Sequence, residues 1–128
     1  MQKTKDLKNE YQRHVNFAIR EKDSGILVGS CGFDDSDLKS PTEVGIGYWI
    51  GKKHWSKGIG TAIVNSLVHI GMEIYGYAKL YACVFEWNLG SQKVLLKNGF
   101  TKEKLIENYI EKYGKFINAL KFSQSKKD

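Results

Sequence analysis

Long apolar runs, cysteine and proline are what this 128-residue sequence lacks. Its longest uncharged stretch, residues 58–72, is broken by Asn65, Ser66 and His69. A membrane-spanning helix needs about 18 or more predominantly apolar residues, so none is expected. The opening Met1-Gln2-Lys3-Thr4-Lys5-Asp6 is polar and no apolar core follows it, which argues against a signal peptide and for a soluble cytoplasmic protein. Cys31 and Cys83, the only cysteines, are too isolated for a disulfide framework or a zinc knuckle and read as two reduced thiols. The histidines at 14, 54 and 69 show no ligand spacing, and Asp34, Asp35 and Asp37 lack the later ligands of a calcium loop, so no metal is expected. No linker, repeat or low-complexity segment interrupts the chain, which reads as one domain over residues 1–122 with a polar tail, 123–128.

What is present suffices for a core: 41% of residues are apolar and 12% aromatic. Twenty Lys and Arg against fourteen Asp and Glu leave a formal +6, compatible with nucleic acid, an anionic membrane or a polyanionic small molecule. No aromatic RNA-binding strand or recognition-helix pattern accompanies the charge, so nucleic acid is not expected as a partner.

Periodicity predicts a short helix over residues 1–12 and a hairpin of residues 14–19 and 26–33 around Asp23-Ser24-Gly25. Residues 34–41 read as a loop and 43–50 as a third strand, whose Gly45 and Gly47 imply a close approach on that face. A helix follows from Gly58 to about Tyr75, with Ile59, Ala62, Ile63, Leu67, Ile70 and Ile74 as its apolar stripe and Gly76 as its stop. Then come a strand over 79–85, a helix capped by Asn88 and ended by Gly99, and a terminal hairpin of residues 104–111 and 115–122. This order predicts an α/β (α+β) single domain: a mixed, mostly antiparallel sheet with flanking helices.

The informative segment is Trp49-Ile50-Gly51-Lys52-Lys53-His54-Trp55-Ser56-Lys57-Gly58-Ile59-Gly60-Thr61, a strand, a basic loop and a helix start. The first helical turn leaves N–H groups unpaired and its dipole favours an anion. Gly58 and Gly60 lack the Cβ atoms that hold a phosphate away, Lys52, Lys53 and Lys57 add positive charge, and His54 offers a further N–H. The expected ligand is a pyrophosphate, against the alternative that the glycines serve only helix–sheet packing. Neither the P-loop string nor the dinucleotide fingerprint occurs, since Ile63 and Ile50 stand where a third glycine is required.

Three strings resemble the GNAT N-acetyltransferase superfamily over residues 15–122. Trp55-Ser56-Lys57-Gly58-Ile59-Gly60-Thr61 is similar to its acyl-CoA pyrophosphate loop. Residues 88–100, from Asn88 through Ser91 and Lys97 to Gly99-Phe100, resemble the signature of the RimJ/RimL-like (ribosomal-protein N-terminal acetyltransferase-like) branch, as does Ile46-Gly47-Tyr48-Trp49-Ile50. The resemblance implies an acetyl-CoA-dependent N-acetyltransferase acting on a primary amine, a protein N-terminus or a small amine, by direct attack on the thioester. Backbone groups of Trp49 and Ile50 would hold the acetyl–pantetheine portion where two strands splay. Amides of Trp55, Ser56, Lys57, Gly58, Ile59, Gly60 and Thr61 would bind the pyrophosphate, Asn88 would contact the pantetheine arm, and Ser91 would lie near the sulfur and protonate it.

The branch usually carries Glu where this chain has Gly45. Glu43, on the same strand face, is the substitute base or substrate clamp, its plain reading being a solvated strand-end carboxylate; Glu86 is the second choice. The tyrosine that relatives offer as general acid falls at Leu95, which leaves Ser91. Only residues 1–13 precede the first hairpin, so the family's usual first strand and first helix are missing, and with them one wall of the acceptor site. A weak or inactive CoA-binding or interaction module is therefore the alternative, and a basic nucleic-acid-binding domain the remote one. An unfinished N-terminal sheet edge points to a homodimer.

Overall fold

A computed structural model describes residues 14–34, 41–55 and 57–127. The helix expected over residues 1–12, Asp35 and Asp37 of the loop, and Ser56 lie outside the described residues. The elements are β1 (His14–Arg20), β2 (Leu27–Asp34), β3 (Glu43–Ile50), α1 (Ile59–His69), β4 (Lys79–Phe85), α2 (Leu89–Lys97), β5 (Thr101–Lys112) and β6 (Lys115–Ser125). They build a six-stranded sheet in the order β1-β2-β3-β4-β6-β5. Of the paired neighbours, only β3 and β4 are parallel, joined by the helical crossover α1; β4 and β5, joined through α2, also run parallel but with β6 inserted between them.

Strand alternation decides which face is buried. The register aligns Val15, Phe33 and Ile46, and likewise Phe17, Cys31 and Tyr48, across β1, β2 and β3. On β4 and β6 the same face carries Leu80, Ala82 and Phe122. Ile63, Val64 and Leu67 of α1 and Leu95 of α2 cover it, completing one core with Phe100. The opposite face carries Ser30, Gly32, Gly45, Gly47 and Trp49. Among the described residues, no helix is long and apolar enough to cross a membrane.

Three sequence expectations shift. The long helix ends at His69 and continues as a wide π turn, Ile70–Ile74. That turn rotates the stripe, so Gly71 and Met72 are buried while Ile74 is 63% exposed; Ala62 and His69 are also exposed. Ser123 to Ser125, expected in the polar tail, continue β6 opposite Lys79 and Tyr81, since backbone pairing does not require apolar side chains. β5 begins at Thr101 and its simple alternation breaks: its register slips between Ile106 and Ile110, where Asn108 takes φ 53° and donates its N–H to Asn118 Oδ1 at 3.0 Å.

The π turn allows α1 to sit close to the sheet, and Gly71 is the contact point. A Cβ there would stand 2.9 Å from the Phe33 ring and 3.0 Å from Leu80, both fully buried. Gly71→Ala should therefore destabilise the fold by about 1–3 kcal/mol despite alanine's better helix propensity, measured as a lower urea midpoint at unchanged slope.

Candidate active site

The β3–β4 ladder has three aligned positions, Glu43↔Lys79, Val44↔Leu80 and Gly45↔Tyr81, and then the strands part. β3 stays with β2 as far as Ile50, and β4 stays with β6 as far as Phe85, so a gap opens between them. The Gly51 N–H donates to Val28 O at 2.8 Å, so alternation turns the N–H and C=O of Trp49 toward β2 as well. The backbone facing the gap belongs to Tyr48 and Ile50, not to Trp49 as the sequence suggested. Of the glycine pair, Gly45 is approached by the Tyr81 ring, 3.0 Å from where a Cβ would stand, while at Gly47 a Cβ would meet nothing within 4 Å.

β3 leads through the short turn Lys52–His54 into the start of α1. The Trp55 indole donates to Ile50 O at 2.8 Å and pins this connection. Gly58 caps the helix at φ 77°, a left-handed conformation that favours glycine, so the cap offers no side chain to the N-terminal amides of Ile59, Gly60 and Thr61, and the first turn carries no acid. Gly60 differs from the expectation: its missing Cβ would contact Val94, Ile50 and Tyr48 at 3.4–3.6 Å, so it seats α1 against α2 and β3. Lys57 lies exposed just ahead of the helix, whereas Lys52, Lys53 and His54 line a separate recess with Trp49.

α2 brings the third part. Asn88 Oδ1 accepts from Ser91 N at 3.1 Å, capping the helix. The Tyr48 hydroxyl donates to Ser91 Oγ at 3.3 Å, joining β3 to α2 at the gap. Burial pushes the Tyr48 phenol above its ordinary pKa, partly opposed by that hydrogen bond, and it stays protonated at neutral pH. Tyr48 is the residue at the gap that sequence reasoning passed over: it was read only as part of Ile46-Gly47-Tyr48-Trp49-Ile50, although its hydroxyl lies on the buried face of β3 between Ile46 and Ile50. Leu95, where a tyrosine was sought, is fully buried.

Asn88, Ser91, Ile50 and the amides of residues 59–61 thus meet around the gap, and Glu43 does not. It sits at the closed end of β3, 3.9 Å from Lys79, whose amine also lies 3.6 Å from Glu103. Five residues of strand, roughly 17 Å at about 3.3 Å each, separate Glu43 from Tyr48. Glu86 is exposed just beyond the open end of β4.

Residues 1–101 match the acetyltransferase (GNAT) domain family. The chain belongs to that family. Acyl transfer is accordingly its class of chemistry. It is 31% identical over 128 residues to the uncharacterized N-acetyltransferase p20 of Bacillus licheniformis, covering all of this chain and 71% of that one. It is also 31% identical over 103 residues to the uncharacterized N-acetyltransferase YoaA of Bacillus subtilis (strain 168), covering 80% of this chain and 58% of the relative. In fold it is similar to the ribosomal-protein-S5-alanine acetyltransferase from Vibrio fischeri, with a TM-score of 0.82 at 20% identity over 91% of this GNAT chain and 63% of the other. A variant of the spermidine N-acetyltransferase SpeG from Vibrio cholerae gives a TM-score of 0.78 at 15% identity, over 87% and 64%.

The Asn88 cap holds the helix that carries Ser91. Asn88→Ala should cost about 1 kcal/mol in denaturant unfolding, while Asn88→Asp, which keeps an acceptor, should cost much less.

Proposed function

We propose that this GNAT domain transfers the acetyl group of acetyl-CoA to a primary amine by direct attack, in the manner of the RimJ/RimL-like branch and in the cytoplasm. One observation carries the reading: β3 leaves β4 after Gly45 and runs into a helix N-terminus whose glycine cap offers no side chain, so a gap between strands and an anion cradle lie in sequence. The residues suit that ligand. The amides of Ile59, Gly60 and Thr61, with Lys57 nearby and Trp55 fixing the turn, would hold the pyrophosphate. The backbone of Tyr48 and Ile50 would pair with the pantetheine arm, and Asn88, whose Nδ2 is left over from capping, would donate to it.

Bound acetyl-CoA supplies an activated acyl thioester; transfer forms the C–N bond of an amide, breaks the C–S bond and releases a thiol. The chain must orient the amine, take one proton from it and return one to sulfur. A gap-facing N–H of Tyr48 or Ile50 can stabilise the developing oxyanion. Ser91 accepts from Tyr48, so its own proton points elsewhere and can pass to the thiolate while Tyr48 Oη–H resupplies it. The amine's proton leaves by way of water or Glu86 at the mouth of the gap.

Acetyl-CoA at about 100 times its Kd should stabilise the protein by about 2.7 kcal/mol in a thermal melt. In Lys57→Glu/Thr61→Glu, which places carboxylates at the helix start without disturbing the core, that shift should vanish; a wild-type response would reject the cradle. Tyr48→Phe and Ser91→Ala should each lower kcat about 10–100-fold in a thiol-release assay, and the double variant should be little worse than either. Because the Tyr48 phenol is raised, kcat should show no fall attributable to its ionisation below about pH 10. Multiplicative losses in the double variant would contradict the relay.

A further inference from the structure

The sheet face turned away from α1 and α2 carries a recess that the acetyl-transfer site does not use. At the end of β3 the Lys52–His54 turn folds back on β2, anchored by Gly51 N–H to Val28 O and His54 N–H to Gly51 O, each 2.8 Å. It borders an open recess of about 510 Å³, within the roughly 300–1,000 Å³ of small-molecule sites. Leu27, Val28 and Trp49 give it apolar walls, and Lys52, Lys53 and His54 a basic rim. None of the described residues that line it is acidic. Trp49 is 61% exposed, a large indole face open to a ligand. Strand register sets Val28 and Trp49 on the face opposite Tyr48 and Ile50, so these cations stand across the sheet from the anion cradle of α1.

Trp49 also connects the recess to the gap. It shares its face with Gly47, two residues or roughly 7 Å along the strand, where the absent side chain leaves open space. A molecule lying over Gly47 with one end at the gap reaches the recess with the other.

We propose that this recess seats the distal part of the acceptor, and that the acceptor is a primary amine whose flat or apolar body ends in an acid group. The proposal rests on the amine-acetylation reading above and names its substrate class. The body packs against Trp49, Leu27 and Val28, and the acid pairs with Lys52 and Lys53. A polyamine, cationic at both ends, meets only like charge there.

The test is calorimetric titration of the full chain, with and without saturating coenzyme A, using para-(aminomethyl)benzoate, its methyl ester and spermidine. The acid should bind about tenfold or more tightly than the ester, and spermidine should bind least. In Lys52→Gln/Lys53→Gln the advantage of acid over ester should disappear, while the melting shift with acetyl-CoA is retained. Equal affinities for acid and ester, no binding of the acid, or a preference for spermidine would overturn the proposal. Failure of the acetyl-CoA shift in the unaltered protein would instead reject the transfer reading, leaving the titration to decide the recess by itself.

Discussion

The β3–β4 ladder stops after Gly45 and Tyr81, and the site depends on that interruption. Each strand is held elsewhere, β3 by β2 as far as Ile50 and β4 by β6 as far as Phe85, so neither can turn to meet the other. Backbone N–H and C=O groups that face a gap in a sheet cost free energy unless something pairs with them. In an antiparallel sheet such a gap would be a defect. Here it opens at the end of the strand that leads into α1, so on the proposed reading the strand edge and the helix start face the same extended, anionic ligand. The Tyr48–Ser91 hydrogen bond ties the two sides of the arrangement together, and α1 packs beside it with Gly60 facing Tyr48, Ile50 and Val94.

The sheet divides the labour between its faces. The face under α1 and α2 holds the apolar core and, at its open end, the cradle and the hydroxyl pair. The other face carries Asp34 and Glu43 at one end of β2 and β3, the small Ser30, Gly32, Gly45 and Gly47 between, and then Trp49, where an indole and three basic side chains line a recess. A transfer enzyme needs its two substrates to approach one bond from different directions, and a gap that passes between two strands meets that need without a moving part. On the proposed reading part of the formal charge of +6 has a specific use, Lys57 on one face and Lys52 and Lys53 on the other.

Much of this was legible because it is local. Asn88 as a cap, the turn at Gly25, the helix-ending Gly76 and Gly99, and the loop-to-helix start at Gly58 are decided by neighbours a few residues away, and the structure has them all. The mixed, mostly antiparallel sheet followed from the order of elements, and the GNAT assignment from the resemblance of three motifs; the strand order itself came only with the structure. What escaped is non-local. The helical spacing of residues 59–74 contains nothing that marks a π turn; the packing of Gly71 between Phe33 and Leu80 does. Glu43 looked available until Lys79, itself paired with Glu103, was brought beside it. Tyr48 gained a role only from a serine 43 positions later. The backbone of Trp49 was assigned to the gap because strand parity relative to β2 cannot be read from one strand alone.

The interrupted ladder can be tested directly by amide hydrogen exchange, followed by NMR at Tyr48 and Ile50 with and without acetyl-CoA. Both amides should exchange rapidly in the free protein, like solvent-facing groups, while Trp49, in the ladder with β2, is protected; acetyl-CoA should slow both strongly. Amides already protected in the free protein, or left fast when the ligand is saturating, would contradict the account.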